Sequence, residues 1–361
     1  DVERSRGLGD VYKRQSEDGI IRQSVQPADT GAGISAEASE RGYHYIASPE
    51  GVTARQNKLM LVLGGSGMSP EEFFDITDYA AGLGLSTVNL RYINYSGDGI
   101  QATDTAGVSC FGQDACFAEL RGETIFGQNV TYADGMTPYD SDKREIDAAN
   151  SIIGRFVSLL DYLIHQSPSA ENPNPEFWSS FLIRDERSPY VVPYLGNVYP
   201  DWSKIIITGH AQGGGHAALM AMNISSENPA LQVIMLSAPG DFTATTAPAS
   251  WITQPSATPM NRFWGLTHKR DMLGIFNRRN WDAMGGPESG GVGGPENNAF
   301  VDVGDGSGDP MGAQRLVLSS VVRDPHYGRH EVTIDGTQPG IRMAWDLSLI
   351  HISEPTRPLY I

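Results

Sequence analysis

The stretch ITGHAQGGGHA (207–217) sets the chemical question in this sequence. It follows the apolar run KIII and precedes AALMAMNIS, so a buried strand turns sharply into a helix. Small residues at both ends of such a turn, here Gly209 and Gly213, let the central residue stand clear over the sheet edge. The frame is G-x-S-x-G, in which the central residue is a nucleophilic serine, yet Ala211 stands there. A methyl group has no lone pair with which to attack a carbonyl. One base change separates a serine TCN codon from an alanine GCN codon, and Ser237, after the next strand, lies in a different frame. A phosphate-binding turn is the competing reading, but neither G-x-x-x-x-G-K-[ST] nor G-x-G-x-x-G fits.

A nucleophile of this kind needs a base to take its proton and an acid to hold the imidazole tautomer. In such a chain the acid follows a later strand and the histidine follows the last one. RFWGLTHKRD puts Asp271 just past a strand, and RLVLSSVVRDPHYGRHEVTID puts His326 and His330 past the final one. Developing negative charge needs one backbone N–H after the nucleophile, here Gln212, and another from the loop after an early strand. LVLGGSGMSP supplies that loop, with Ser66 or Gly67 as donor.

Short buried strands must carry these turns. Strands are expected in YHYIAS (43–48), KLMLVLGGSG (58–67), LSTVNLRY (85–92), KIIITG, LQVIMLSAP (231–239), RFWGLTH (262–268) and RLVLSS (315–320). SPEEFFDITDYAAGLG reads as a helix with Ser69 as N-cap and Pro70 at its first position, and residues 142–166 read as a second helix. Strands alternating with helices imply a mostly parallel sheet. Residues 93–140 read as a long excursion, 167–200 as a Pro-rich linker, and 284–312 as a Gly-rich surface loop. Asp302, Asp305 and Asp309 in that loop offer carboxylates for calcium, but the D-x-D-x-D-G spacing is absent.

The 361 residues carry a formal charge of −17, which argues against nucleic acid and anionic membrane surfaces as partners. No apolar run is long enough to span a bilayer. The two cysteines, Cys110 and Cys116 in SCFGQDACF, either close a short disulfide loop, which would imply export, or are two separate buried thiols. Without further Cys or His nearby they make a poor zinc site, and no metal or cofactor is expected. The ends, GLGDVYKRQ and LSLIHISEPTRPLYI, resemble translated sequencing-adapter read-through. Residues 1–15 and 347–361 are therefore set aside, leaving 16–346 as one expected domain.

These segments together resemble secreted bacterial α/β hydrolases of esterase-like fold. The match spans roughly 43–345 and includes YHYIASPEG, KLMLVLGGSGMSP, NLRYIN, CFGQDACFAELRGE, DAANSIIGRFVSLLDYL, GHAQGGGHAA and HEVTIDG. The turn in that family usually reads G-H-S-Q-G-x-G-H. The resemblance implies an α/β-hydrolase fold, with a mostly parallel central sheet flanked by helices. It implies that Ala211 occupies the nucleophile position, Asp271 the acid and His330 the base, with Asp241 in SAPGDF and His326 as rivals. It also implies a Cys110–Cys116 disulfide, a secreted or periplasmic location and a small ester or acyl substrate. The expected function is carboxylic-ester hydrolysis disabled at one position, and the alternative is a secreted binding protein on the same scaffold.

Overall fold

The structure is a computed structural model that describes residues 19–35, 42–50, 57–94, 110, 112–132, 136–297, 299–302, 313–318, 331–336 and 339–350. Its strands are β1 (Ile20–Val25), β2 (His44–Pro49), β3 (Leu59–Leu63), β4 (Ser86–Leu90), β5 (Leu182–Arg184), β6 (Val191–Val192), β7 (Gly196–Pro200), β8 (Ile205–His210), β9 (Gln232–Leu236), β10 (Phe263–His268), β11 (Phe300–Asp302) and β12 (Arg315–Leu318). The α-helices are α1 (Phe74–Gly82), α2 (Asp114–Phe126), α3 (Ile152–His165), α4 (Gln212–Asn223), α5 (Gly274–Ala283) and α6 (Pro339–Ile350).

Nine strands form the central sheet in the order β1-β2-β4-β3-β8-β9-β10-β12-β11. β1 and β2 pair antiparallel, as do β2 and β4, and every later pairing is parallel. Alternate side chains of the parallel strands feed two cores. Leu59, Leu61, Leu63, Ile205 and Ile207 pack with α2, α3 and α4 on one face. Met60, Val62, Ile206, Ile234 and Leu236 pack with α1 and α6 on the other. Mostly parallel strands, buried on both faces, with this order define the α/β-hydrolase fold. The order reverses beside β3: the chain goes first to β4, then returns to place β8 on the opposite edge of β3. At such a switch point the loops beyond the two strand ends diverge and leave a crevice.

Several expected boundaries shift. The excursion contains α2, a 13-residue helix, and the Pro-rich linker folds into a small sheet of order β5-β7-β6. The helix expected over 142–166 begins only at Ile152, where Ser151 accepts a bond from the Gly154 amide at 3.0 Å. Before it, the buried Glu123 carboxylate accepts the amides of Ser141 and Ile146, both at 2.7 Å, which fixes that segment as turns. At the far end, α6 places Leu349 in the second core.

Candidate active site

The elbow is built by close backbone packing. Ala211 has φ 50 and ψ −116 between β8 and α4. That conformation is sparsely populated for a residue with a Cβ and costs on the order of 1–3 kcal/mol. It persists because its neighbours leave it no alternative. The Ala211 amide donates to the Leu236 carbonyl at 2.9 Å, and the Gly215 amide donates to the Ala211 carbonyl at 3.1 Å. A Cβ on Gly209 would overlap the Gly213 backbone, one on Gly213 would overlap the carbonyls of Leu63 and Gly64, and one on Gly214 would overlap the Ala238 methyl. The three glycines are therefore required where α4 crosses the ends of β3 and β9.

The loop after β3 faces this elbow across the switch point. A Cβ on Gly65 would lie 3.3 Å from the Ala211 Cβ, so the two segments touch. Tyr92 donates its hydroxyl to the Gly64 carbonyl at 2.6 Å, and Asn94 Nδ2 donates to the carbonyls of Gly65 and Met68 at 2.7 and 2.8 Å. Arg91 Nη1 adds a bond to the Met68 carbonyl at 3.0 Å. In a trans peptide the C=O of one residue points opposite to the N–H of the next. Drawing the Gly65 carbonyl toward Asn94 thus turns the Ser66 amide away from it. The Gly67 amide is used elsewhere, donating to the Asn94 carbonyl at 3.3 Å.

Side chains tie the loop to the elbow. Ser66 Oγ donates to Gln212 Oε1 at 2.6 Å, and Gln212 Nε2 lies 3.2 Å from Nε2 of the buried His216. Burial, followed by the charges of Arg121 and Arg144, holds the His216 pKa well below the usual histidine range. A neutral ring can accept from the Gln212 amide.

Asp271 follows β10 and is buried. Its Oδ1 accepts the Leu273 amide at 2.9 Å, and Thr267 Oγ1 lies 3.5 Å from its Oδ2. His326 and His330 lie outside the described residues. Asp241 is committed elsewhere: Arg121 donates to both its oxygens at 2.7 and 2.6 Å, and Trp251 Nε1 donates to Oδ2 at 2.9 Å. Ser237 is buried and its Oγ lies 3.2 Å from Thr333 Oγ1. The sequence reading missed Arg91, Tyr92, Asn94 and Arg121. For the first three the available signal was a polar cluster, RYIN, running off an otherwise apolar strand.

Cys110 and Cys116 form a disulfide with Cα atoms 5.3 Å apart, joining the segment before α2 to its first turn. Among the described residues no cluster of His, Cys, Asp or Glu could hold a metal ion; Asp302 lies in β11, while Asp305 and Asp309 lie outside the described residues. Among the described residues no helix is long and apolar enough to cross a membrane.

No family model and no curated protein matches this chain. Among solved structures, the chain is similar over 97% of its length to 91% of a hormone-sensitive lipase from a metagenome library, at 10% identity and a TM-score of 0.43. It is also similar over 98% of its length to 94% of a structure of esterase B from Lactobacillus rhamnosis with a tributyrin phosphonate, at 11% identity and a TM-score of 0.41. A third similarity, to esterase Est22, has 13% identity and a TM-score of 0.32. The strand order and direction, rather than these distant likenesses, define the class: this is an α/β-hydrolase fold, with a sharp turn at Ala211 between β8 and α4.

Proposed function

We propose that this chain carries the acyl-transfer site of a carboxylic-ester hydrolase in which Ala211 occupies the nucleophile position. The observation that carries the reading is the backbone of Ala211. A strained φ of 50 and ψ of −116 is maintained where no hydroxyl benefits from it. The oxyanion donors in this reading are the amides of Gln212 and Ser66, since Gly67 is spent on Asn94. Asp271 is the acid, supported by its place after β10 and by the commitment of Asp241 to Arg121. His330 is the base, with His326 the alternative.

With a serine at 211, Oγ would attack the ester carbonyl while the histidine takes its proton. The acyl–oxygen bond would then break, and the alcohol would leave with that proton. Water, deprotonated by the same histidine, would release the acid and restore the serine. With alanine at 211 there is no Oγ, so the acyl-enzyme cannot form. Removing the serine of a triad costs on the order of 10⁶ in turnover. The alanine also favours a second reading, a non-catalytic protein that binds an ester or acyl ligand. The disulfide supports a secreted or periplasmic location for either.

Ala211→Ser separates the two readings. On short-chain p-nitrophenyl esters we expect a gain of several orders of magnitude over the alanine protein, with burst kinetics and fluorophosphonate labelling of the new serine. A folded Ala211→Ser protein inactive across acyl lengths would overturn the hydrolase reading and favour the binding-protein one.

A further inference from the structure

We infer that Arg121 and Asp241 act as a positioning pair for the elbow, with Arg121 aiming the first turn of α4 from the excursion helix α2; this rests on the acyl-transfer reading above. The guanidinium is only 3% exposed and spends its donors on two partners. Nε and Nη2 grip the Asp241 carboxylate at 2.7 and 2.6 Å, and Nη1 donates to the Gln212 carbonyl at 2.8 Å. In that reading Gln212 is the residue whose own amide serves the developing oxyanion. Its carbonyl is thus clamped on one side of the Cα while its amide serves on the other.

The molecule makes room for this arrangement. A Cβ on Gly215 would overlap the Arg121 guanidinium, so a third glycine in the run QGGGH is explained by Arg121 rather than by the sheet. Asp241 is fixed in turn by Trp251 Nε1 at 2.9 Å, and its backbone carbonyl accepts Asn280 Nδ2 at 3.0 Å.

The electrostatics argue against simple stabilisation. A cation at a helix N-terminus meets the positive end of the helix dipole. Asp241 neutralises that charge, and the pair gains a direction: a rigid planar fork whose remaining N–H points at one carbonyl. Direction is what a strained elbow requires. The helix that carries Arg121 has its own first turn held by the Cys110–Cys116 disulfide.

The test uses the full chain carrying Ala211→Cys, which puts a thiol at the elbow and needs neither an ester nor the histidine. Its alkylation by iodoacetamide is followed against pH, with and without Arg121→Lys. Lysine retains the charge beside Asp241 but has no fork with which to reach Gln212 as well. A positioning role predicts that the thiol's titration midpoint rises by about one unit with Arg121→Lys, since a misaligned helix N-terminus stabilises thiolate less well. Labelling below the midpoint then slows about tenfold, while the melting temperature stays within a few degrees. An unchanged profile in the folded variant would make Arg121 a fold residue only and overturn the inference. Should Arg121→Lys not fold, Arg121→Met with Asp241→Asn removes both charges, keeps an acceptor for Trp251, and is judged by the same profile. In an active Ala211→Ser protein, Arg121→Lys should lower kcat about 10- to 100-fold with KM within about twofold. A change confined to KM would also overturn the inference. Because the thiol readout is independent of turnover, an inactive Ala211→Ser protein would sink the esterase reading without deciding this one.

Discussion

The two sides of the site are built differently. The elbow side, Gly64–Met68 with Ala211–His216, is held by close backbone packing and by bonds that converge from the segment after β4, from α2 and from β9. The side proposed to carry the acid lies just after β10, where Asp271 accepts the Leu273 amide and lies near the Thr267 hydroxyl. A strained backbone has to be determined from several directions at once, whereas a carboxylate has only to be delivered to the right edge of the sheet. Substitutions at the crowded glycines of the elbow side should therefore cost folding, and substitutions at Asp271 should cost chemistry.

The largest expected contrast lies between the two aspartates, read in the Ala211→Ser background. Asp271→Asn keeps an acceptor for the Leu273 amide but can no longer hold the tautomer or stabilise the charged imidazole. We expect kcat to fall about 10⁴-fold, with the urea midpoint nearly unmoved. Asp241→Ala leaves the buried Arg121 without its counter-charge, at a cost of about 3–5 kcal/mol in unfolding free energy. If Asp241 proves to be the one whose loss spares stability and abolishes turnover, the assignment of the acid is reversed.

Two glycines sharpen the same comparison within the elbow side. A Cβ on Gly213 would drive into the carbonyls of Leu63 and Gly64, which belong to β3 and its loop and cannot swing aside. Gly213→Ala should cost about 3 kcal/mol, the upper range for overpacking. Gly67 has φ +69, but a Cβ there would meet nothing within 4 Å, so Gly67→Ala should cost only about 1 kcal/mol of backbone strain. Equal losses from the two would mean that conformation, not crowding, holds the elbow.

Much of the elbow side was legible in the sequence because it is made of apolar strands and obligatory glycines, both of which leave strong local patterns. KLMLVLGG and KIIITGHAQGGG announce β3, β8 and the turn between β8 and α4. The clamps were not legible. α2 has no clear apolar stripe because Arg121, Glu123 and Thr124 are buried along with Leu120 and Ile125, so periodicity cannot find it. DKREIDAAN has helix-forming residues, yet Glu123, some twenty positions earlier, claims the amides of Ile146 and of the preceding Ser141 from a distance no local rule can see. Asp271 and its rival Asp241 look alike in the chain, which gives no sign that Arg121 and Trp251 hold Asp241.

The smallest effect concerns pH. His44 and His216 are both fully buried, and burial first, then nearby arginines, holds each pKa well below 6.5. His44 Nδ1 accepts the Arg91 amide at 3.0 Å behind the loop after β3, and His216 supports Gln212, so both belong to the elbow side. A depressed folded-state pKa means that the unfolded chain binds a proton the folded chain refuses. The associated stability is fully present above the unfolded value of 6.5, and it is lost as pH falls from there toward the folded-state values. Within that window each histidine should contribute a slope of about 1.4 kcal/mol per pH unit to the unfolding free energy. Urea melts between pH 7 and pH 5 should show stability falling with acid, and a folded His216→Asn protein should show a shallower slope by one proton's worth. If the slope is unchanged in that variant, protonation of His216 is not what couples the elbow side to pH.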